Sequence, residues 1–410
     1  MKKTLRLLFV SLITLLYATT PEVTIAQEQE SVAIEAHDLE AIEEQVAALF
    51  ERSCTTVGCH AGPVPQMGMD LTRDQFYNAV VDKQSATSPD HKIIDPGNPA
   101  DSYLLKKIRG EEGIVGMQMP MIGDKLTEEE IGTIEQWVTN LGDVSEVQKK
   151  TPVTKKAYPF YGWKVINLPT SRTLEAGNML FLIGHRFNPK ISDGYDAFYG
   201  LDGSGIIYMS LGYAIKDNFL VALARSNSAD DVEFQARYGI IEQGGAKNWP
   251  IGVSLQTSVN FVSQKFPNKD KFARERFKTT IQMSLTRQLG DNIGLAVVPG
   301  ILLNPAEDLD GEDQLITVGL GGRWRFTRTL SIIGEWVPIV SGFTRTLVFG
   351  NDIRYDSWGG GLEIATAGHV FQIVVTNAVG MTSDQYLRGG DLDVFEGDVR
   401  LGFNIFRVLN

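Results

Sequence analysis

Ile207-Tyr208-Met209-Ser210-Leu211-Gly212-Tyr213-Ala214-Ile215 is the stretch on which the fold turns. Every second residue is large and apolar, and Tyr208, Ser210, Gly212 and Ala214 lie between. A period of two puts the two sets on opposite faces of a strand. The pattern returns along the chain. Ile251, Val253, Leu255, Val259 and Phe261 alternate with Gly252, Ser254, Gln256, Ser258 and Asn260. Ile316, Val318, Leu320, Trp324 and Phe326 alternate with Thr317, Gly319, Gly321, Arg323 and Arg325. A soluble β-sandwich also alternates, but its inner face must be a packable core. Here the small or polar face carries Gly, Ser, Thr, Gln, Arg and Glu, and the large aliphatics and aromatics hold the other face. That inversion is the signature of a barrel in lipid.

About twelve such strands begin near residues 179, 205, 218, 231, 250, 277, 292, 314, 330, 355, 369 and 397. Each is about ten residues, the length a tilted membrane strand needs. The expectation is a twelve-stranded antiparallel transmembrane β-barrel over residues 176–410, and an even count returns the chain to the periplasmic side. Lys216-Asp217-Asn218 and Gly290-Asp291-Asn292 read as short turns. Gln264–Arg276, Pro305–Asp313 and Phe343–Tyr355 read as outer loops. By parity Arg323, Arg325, Glu335, Glu363 and Arg400 face the lumen, joined by Glu233, Arg237 and Arg186. Arginine facing lipid at mid-depth would cost about 2–4 kcal/mol. Mutual pairing in a narrow barrel accounts for these charges, and a selectivity constriction is the sharper alternative. His185 shares parity with Phe181 and Ile183, so it is placed near an interface. Glu307, Asp308, Asp310, Glu312 and Asp313 read as a solvated face without EF-hand spacing.

The first residues read as an address. Lys2, Lys3 and Arg6 precede the apolar run Leu7–Leu16, and Thr24-Ile25-Ala26 suits cleavage after Ala26. Residues 1–26 are thus expected to be a signal peptide, 27–37 an acidic leader. The apolar run is too short to span a bilayer, and no cysteine near the cleavage site marks a lipoprotein. A net charge of −12 argues against a nucleic-acid partner.

Residues 38–142 change to a helical period. Leu39, Ile42, Val46, Leu49 and Phe50 form one stripe. Thr127 and Glu130 form a capping box before Ile131, Ile134, Val138 and Leu141, and Gly142 ends that helix. Residues 143–175 read as a linker rich in Lys and Pro, whose Tyr158, Phe160, Tyr161 and Trp163 suit a membrane interface.

The first helix leads into Cys54-Thr55-Thr56-Val57-Gly58-Cys59-His60, which holds both cysteines of the chain. Two thiols with an imidazole beside the second are the grammar of c-type haem attachment, although the usual spacer is two residues and here it is four. The alternative is a Cys54–Cys59 disulfide closing a very short loop, with little entropic benefit. Met119, beside Pro120, is the expected distal ligand. Met67, Met69 and His91 are competitors, and core packing accounts for any single methionine otherwise.

Residues 45–142 resemble a family of bacterial monohaem cytochrome c domains. The likeness is carried by Cys54–His60 with Ala61-Gly62-Pro63, Gly68-Met69-Asp70-Leu71, Asp95-Pro96-Gly97-Asn98-Pro99, Ser102-Tyr103-Leu104, Met119-Pro120 and the Trp137 helix. It implies one covalent haem c on Cys54 and Cys59, with His60 proximal and Met119 distal. Residues 168–410 resemble a family of outer-membrane β-barrels, carried by Thr170-Ser171-Arg172, His185-Arg186-Phe187, Phe198-Tyr199-Gly200-Leu201-Asp202 and Gln243. Phe406 lies near the C-terminus, but the last residue is Asn410 rather than an aromatic.

The combined expectation is a helical cytochrome c domain on the periplasmic side of an outer-membrane barrel. Its partners would be outer-membrane lipid and a periplasmic redox carrier or small redox-active donor or acceptor. It would pass single electrons as a carrier rather than an enzyme, since no Ser/His/Asp triad, phosphate loop or zinc cluster is visible. The alternative is a porin-like transport channel with an accessory haem domain. A haem enzyme with an open distal site is a third reading.

Overall fold

The computed structural model describes residues 39–56, 58–142, 156–244, 247–265, 270–305, 314–342 and 355–409. The expected signal peptide, the acidic leader, the first part of the linker and the acidic stretch Glu307–Asp313 lie outside these residues. The described chain forms two compact units, residues 39–49 with 81–142 and residues 50–80 with 156–409.

A helix over residues 39–53 (α1) buries Val46 and Phe50 of the expected stripe, with Ala47 beside them, and leaves Leu39, Ile42 and Leu49 half-buried. The first unit then holds α3 (Tyr103–Arg109) and α4 (Glu128–Asn140); α2 (Phe76–Val80) belongs to the second. The capping box at α4 forms as read: Glu130 N–H donates to Thr127 Oγ1 (3.3 Å) and Thr127 N–H to Glu130 Oε2 (2.8 Å). Ile131, Ile134, Trp137 and Val138 are its buried face. Gly142 is required where the chain closes on itself, since a Cβ there would lie 2.6 Å from the Gly97 Cα.

In the second unit the chain builds one antiparallel sheet from β1 (Met179–Phe187), β2 (Gly205–Lys216), β3 (Phe219–Ser226), β4 (Asp231–Ile241), β5 (Gly252–Val262), β6 (Phe277–Leu289) and β7 (Ile293–Leu303). It continues through β8 (Gln314–Arg325), β9 (Leu330–Val337), β10 (Ile339–Ser341), β11 (Ser357–Ala365), β12 (His369–Thr376) and β13 (Arg400–Leu409). Pro338 separates β9 from β10, and both pair with β8, so together they act as one strand. The thirteen segments are therefore twelve spanning strands. Neighbours in sequence are neighbours in the sheet, and β1 pairs with β13 from Met179↔Leu409 to Arg186↔Gly402. The sheet closes and leaves no edge, as a strand in lipid requires.

Side chains follow the alternation. Ile207, Met209, Leu211, Tyr213 and Ile215 are 42–51% exposed, while Tyr208, Ser210 and Ala214 between them are buried. Outward aromatics collect at both ends of the strands. Trp324 with Phe326 and Phe219 with Tyr238 mark the end that carries the chain termini of the barrel. Phe261 with Phe277 and Trp336 with Trp358 mark the other. These are the two interfacial girdles of a membrane barrel. His185 stacks on Phe403 (5.2 Å between rings) on the outward face, as its parity indicates. The turns at residues 216–219, 289–293 and 365–369 share the end of the termini and are short. The connections after β1, β5, β7, β10 and β12 at the opposite end are longer. Short turns identify the periplasmic end.

The stretch read as a linker holds a different structure in its second half. Residues 159–170 are buried almost without interruption, and Phe160, Tyr161 and Trp163 are 1–3% exposed. They do not sit at a membrane interface. They pack with inward residues of the strands, Trp163 and Tyr161 with Leu180, Leu182 and Phe406, and Ile166 and Leu168 with Val298, Leu302 and Ile333. Residues 377–389, which include α5 (Ser383–Leu387), are also buried, and Met381, Tyr386 and Leu387 join the same clusters. Two chain segments thus fill the lumen. A barrel of eight strands is filled by its own side chains, and one of sixteen leaves a channel; twelve strands leave a space that here is taken by backbone.

Candidate functional site

Alternation delivers the charges to the lumen. Arg186, Glu233, Arg237, Arg323, Glu335, Glu363 and Arg400 are all at most 4% exposed, and Arg325, near the periplasmic turn, is half-buried. They do not chiefly satisfy one another, as mutual pairing would have it. Most bind the two inserted segments, and Arg400 pairs with Asp391. Glu335 accepts the backbone N–H groups of Ile166, Asn167 and Leu168, each at 3.0 Å. Glu363 accepts Gly162 N–H at 3.2 Å. Arg237 donates to the carbonyls of Trp163 (3.1 Å) and Arg172 (3.2 Å), and Arg186 to Asn167 Oδ1 (3.2 Å). Ser284 and Ser254 donate to the carbonyls of Pro169 and Thr170. The outer segment is held the same way: Ser383 N–H to Glu233 (2.9 Å), Gln385 to Ser228 O (3.0 Å) and Tyr386 OH to Gln282 (2.8 Å). Lys164 Nζ reaches Met381 O at 3.4 Å, so the two segments meet.

The inward glycines are the imprint of this filling. A Cβ on Gly319 would lie 2.4 Å from Leu168, one on Gly359 2.8 Å from Ile166, and one on Gly294 1.8 Å from the Pro159 carbonyl oxygen. In sequence these glycines mark a small face. Their partners lie more than a hundred residues away, so the reason for them is invisible there.

Residues 58–68 lie at the periplasmic end of this unit. Arg328, in the turn after β8, donates to Pro65 O at 2.5 Å, Gly58 approaches Gly368, and Val64 is part of the core around Trp163. The cysteine–histidine loop follows α1: Cys54 N–H donates to Phe50 O (2.7 Å), His60 N–H to Cys54 O (3.0 Å) and Leu71 N–H to His60 O (2.7 Å). Cys54 and Cys59 are half-buried and not bonded to each other, so the disulfide is not formed. Thr56 Oγ1 donates to Cys59 Sγ at 3.3 Å. Burial pushes the Cys54 thiol up to about 12, with Cys59 adding to the effect. Burial also holds the His60 imidazole below its usual value, against the backbone of Met69 and Gln66. His60 is 9% exposed, and its Nδ1 is buried without a partner. Two separate thiols beside a buried imidazole with an orphaned nitrogen are a donor set that fits covalent haem.

The other candidates are divided between the two units. Met119 is half-buried in the first unit, its N–H donating to Lys107 O at 3.0 Å. Met67 is 55% exposed, Met69 is half-buried, and His91 is engaged with Ser88 Oγ at 3.0 Å. Asp391 receives Arg400 at 2.5 Å. Among the described residues no group of three or more His, Cys, Asp or Glu is placed to hold a metal ion.

A family profile described as "Membrane bound beta barrel domain (DUF5777)" matches residues 160–409. The chain belongs to that family. The match to this membrane-bound β-barrel domain begins at the inner lumen segment, so residues 160–175 are part of the domain. It bears on the barrel and leaves the cysteine–histidine loop as an expectation. No curated protein matches the chain. Among solved structures, the barrel domain is similar to the COG4313 outer membrane channel from Pseudomonas putida F1, with 13% identity over 58% of this chain and 98% of that one and a TM-score of 0.35. It is also similar to a NanC porin (8% identity, 56% of this chain and 98% of that one, TM-score 0.35). The Acinetobacter baumannii outer membrane protein Omp33 shares 12% identity over 58% of this chain and all of its own, with a TM-score of 0.29. The protein is a membrane-bound β-barrel.

Proposed function

We propose that this barrel is an outer-membrane transport channel that its own chain holds closed. The observation that carries the reading is the way the lumen is filled. Its wall is polar and charged, and it grips residues 159–170 and 377–389 largely by hydrogen bonds to backbone. A permanent core would be apolar throughout, because a buried polar group contributes little net stability and costs much when its partner is lost. A wall of side-chain donors and acceptors is instead compatible with water once a segment withdraws.

The test is conductance in planar lipid bilayers. The intact protein is expected to be nearly silent. A variant with residues 159–170 and 377–389 both replaced by short Gly/Ser linkers is expected to conduct steadily. A doubly replaced barrel that keeps its β-circular dichroism and heat-modifiable mobility yet stays silent would sink the proposal.

A second reading is favoured by the orphaned Nδ1 of His60 beside two unbonded thiols. In it Cys54 and Cys59 would hold one haem c covalently, His60 would ligate its iron, and Met119 is the expected second ligand. The group would supply one-electron chemistry, and a periplasmic carrier or small redox-active molecule would be its partner. The chain's own contribution is to bury His60 and fix its backbone through Cys54 O and Leu71 N–H. A pyridine haemochrome spectrum that stays with the polypeptide after acid–acetone extraction is expected. Protein matured in a host able to attach haem c but carrying none would refute this reading and leave the channel standing.

A further inference from the structure

One cavity of the second unit, bordered by the Cys54–His60 loop, is not used by the channel reading. It measures about 530 Å³ and lies at the periplasmic end of the barrel, between residues 55–63, residues 156–175 and the strand turns. That volume is within the range of small-molecule sites. Its walls are partly apolar, with Pro63, Ala157, Pro159 and Leu174, and it contains two cations. Lys156 is already paired with Glu242 at 2.7 Å. Arg172 is not paired: among the described residues it has no carboxylate partner.

The guanidinium of Arg172 is nevertheless held in place. Its carbon lies 3.6 Å from the centroid of Trp163 and 5.7 Å from that of Tyr158. Nη1 donates to Tyr161 O. The remaining N–H groups of the fork have no partner among the described residues. A half-buried arginine without a counter-ion, stacked on an aromatic and facing a cavity of ligand size, is a preorganised anion receptor. None of the acidic side chains on the same wall forms an ion pair with it, and Glu175 and Glu363 act on it only from beyond contact distance. Glu242 is engaged by Lys156 and Thr173, Asp217 accepts Ala176 N–H at 2.9 Å, and Glu175 is exposed.

We propose that this cavity binds a small organic anion, with its carboxylate taken by the Arg172 fork and its apolar body laid against Ala157, Pro159 and Leu174. A planar carboxylate suits the fork, since guanidinium and carboxylate match in two parallel hydrogen bonds. This deepens the channel reading by naming the class of solute that meets the closed lumen from the periplasm. Binding is read without conductance, so the two fail separately.

The experiment is isothermal titration of the full-length protein in nanodiscs with 2-naphthoate and with its uncharged partner 2-naphthamide. Naphthoate is expected to bind saturably at one site, and R172Q to weaken it at least tenfold. Naphthamide is expected to bind no better to the wild type than naphthoate does to R172Q. A157W fills the cavity without touching the guanidinium and is expected to abolish binding while heat-modifiable mobility is kept. It decides the matter if R172Q does not fold. Equal affinity for naphthoate and naphthamide overturns the proposal. So does wild-type affinity in a folded R172Q or in A157W, and so does tighter binding of a naphthyl trimethylammonium cation than of naphthoate.

Discussion

Glu335→Ala tests the grip of the barrel wall on the inner segment. Glu335 is 4% exposed and accepts three backbone N–H groups, from Ile166, Asn167 and Leu168, each at 3.0 Å. Truncation leaves all three donors facing a small void. A buried donor left without a partner costs about 1–3 kcal/mol. Three therefore sum to roughly 3–9 kcal/mol, and water entering the space of the lost carboxylate offsets part of this. An effect of about 4 kcal/mol on the docked state of residues 165–168 corresponds to roughly a thousandfold in their opening equilibrium. Hydrogen–deuterium exchange followed by mass spectrometry reads this directly, since amide exchange reports local opening. Peptides covering Ile166–Leu168 are expected to exchange about a thousandfold faster in Glu335→Ala. Glu335→Gln keeps one acceptor and is expected to fall between. Peptides from β2 and β3 serve as the internal reference. Unchanged exchange at Ile166–Leu168 in a folded Glu335→Ala barrel would refute the idea that this carboxylate pins the segment.

Three further outcomes follow from single sites. Gly294→Ala places a Cβ 1.8 Å from the Pro159 carbonyl oxygen, and backbone cannot yield as a side-chain tip does. Overpacking of about 1–3 kcal/mol or more is expected, seen as a lower midpoint of heat-modifiable mobility; an unchanged midpoint contradicts it. Thr127→Ala removes the side chain that caps α4 and should cost about 1 kcal/mol in urea unfolding followed by Trp fluorescence; no loss means the cap is idle. The loops after β1 and β12 are tied by Lys190 Nζ to Asp398 (2.7 Å) and Ser192 Oγ to Asp398 (2.7 Å). Hydrogen bonds from Lys190 and Ser192 hold the Asp398 carboxyl below its ordinary 3.8. Its contribution is thus complete above 3.8 and lost as pH falls through the lowered value. Lys190 is raised above 10.5 by Asp398, so its share is complete below 10.5 and lost as pH rises through the raised value. A spin label at Ala197 should sharpen at both extremes, and D398N should reproduce the mobile spectrum near neutral pH. A label equally immobile at all pH values and in D398N would end that account.

The barrel was legible from the residues alone, because each strand in lipid must write its two environments into alternate residues. The observed starts at 179, 205, 219, 231, 252, 277, 293, 314, 330, 357, 369 and 400 stay within about three residues of the expected ones. The same local logic placed the lumen charges, the position of His185 and the Thr127 capping box. Cys54, Cys59 and His60 are read from the sequence as a haem donor set and stay a proposal; the structure adds only that His60 is buried. What fills the barrel was not legible. Residues 157–175 fall within the stretch 143–175 that reads as a linker, and 377–390 fall between two expected strands, because neither carries a periodic face. Their backbone groups are satisfied by Glu335, Glu363, Arg237 and Glu233, residues about 65 to 200 positions away. An irregular segment announces nothing locally when its partners are distant, so only the closed tertiary structure decided that the lumen is occupied and that Arg172 faces a cavity without a counter-ion.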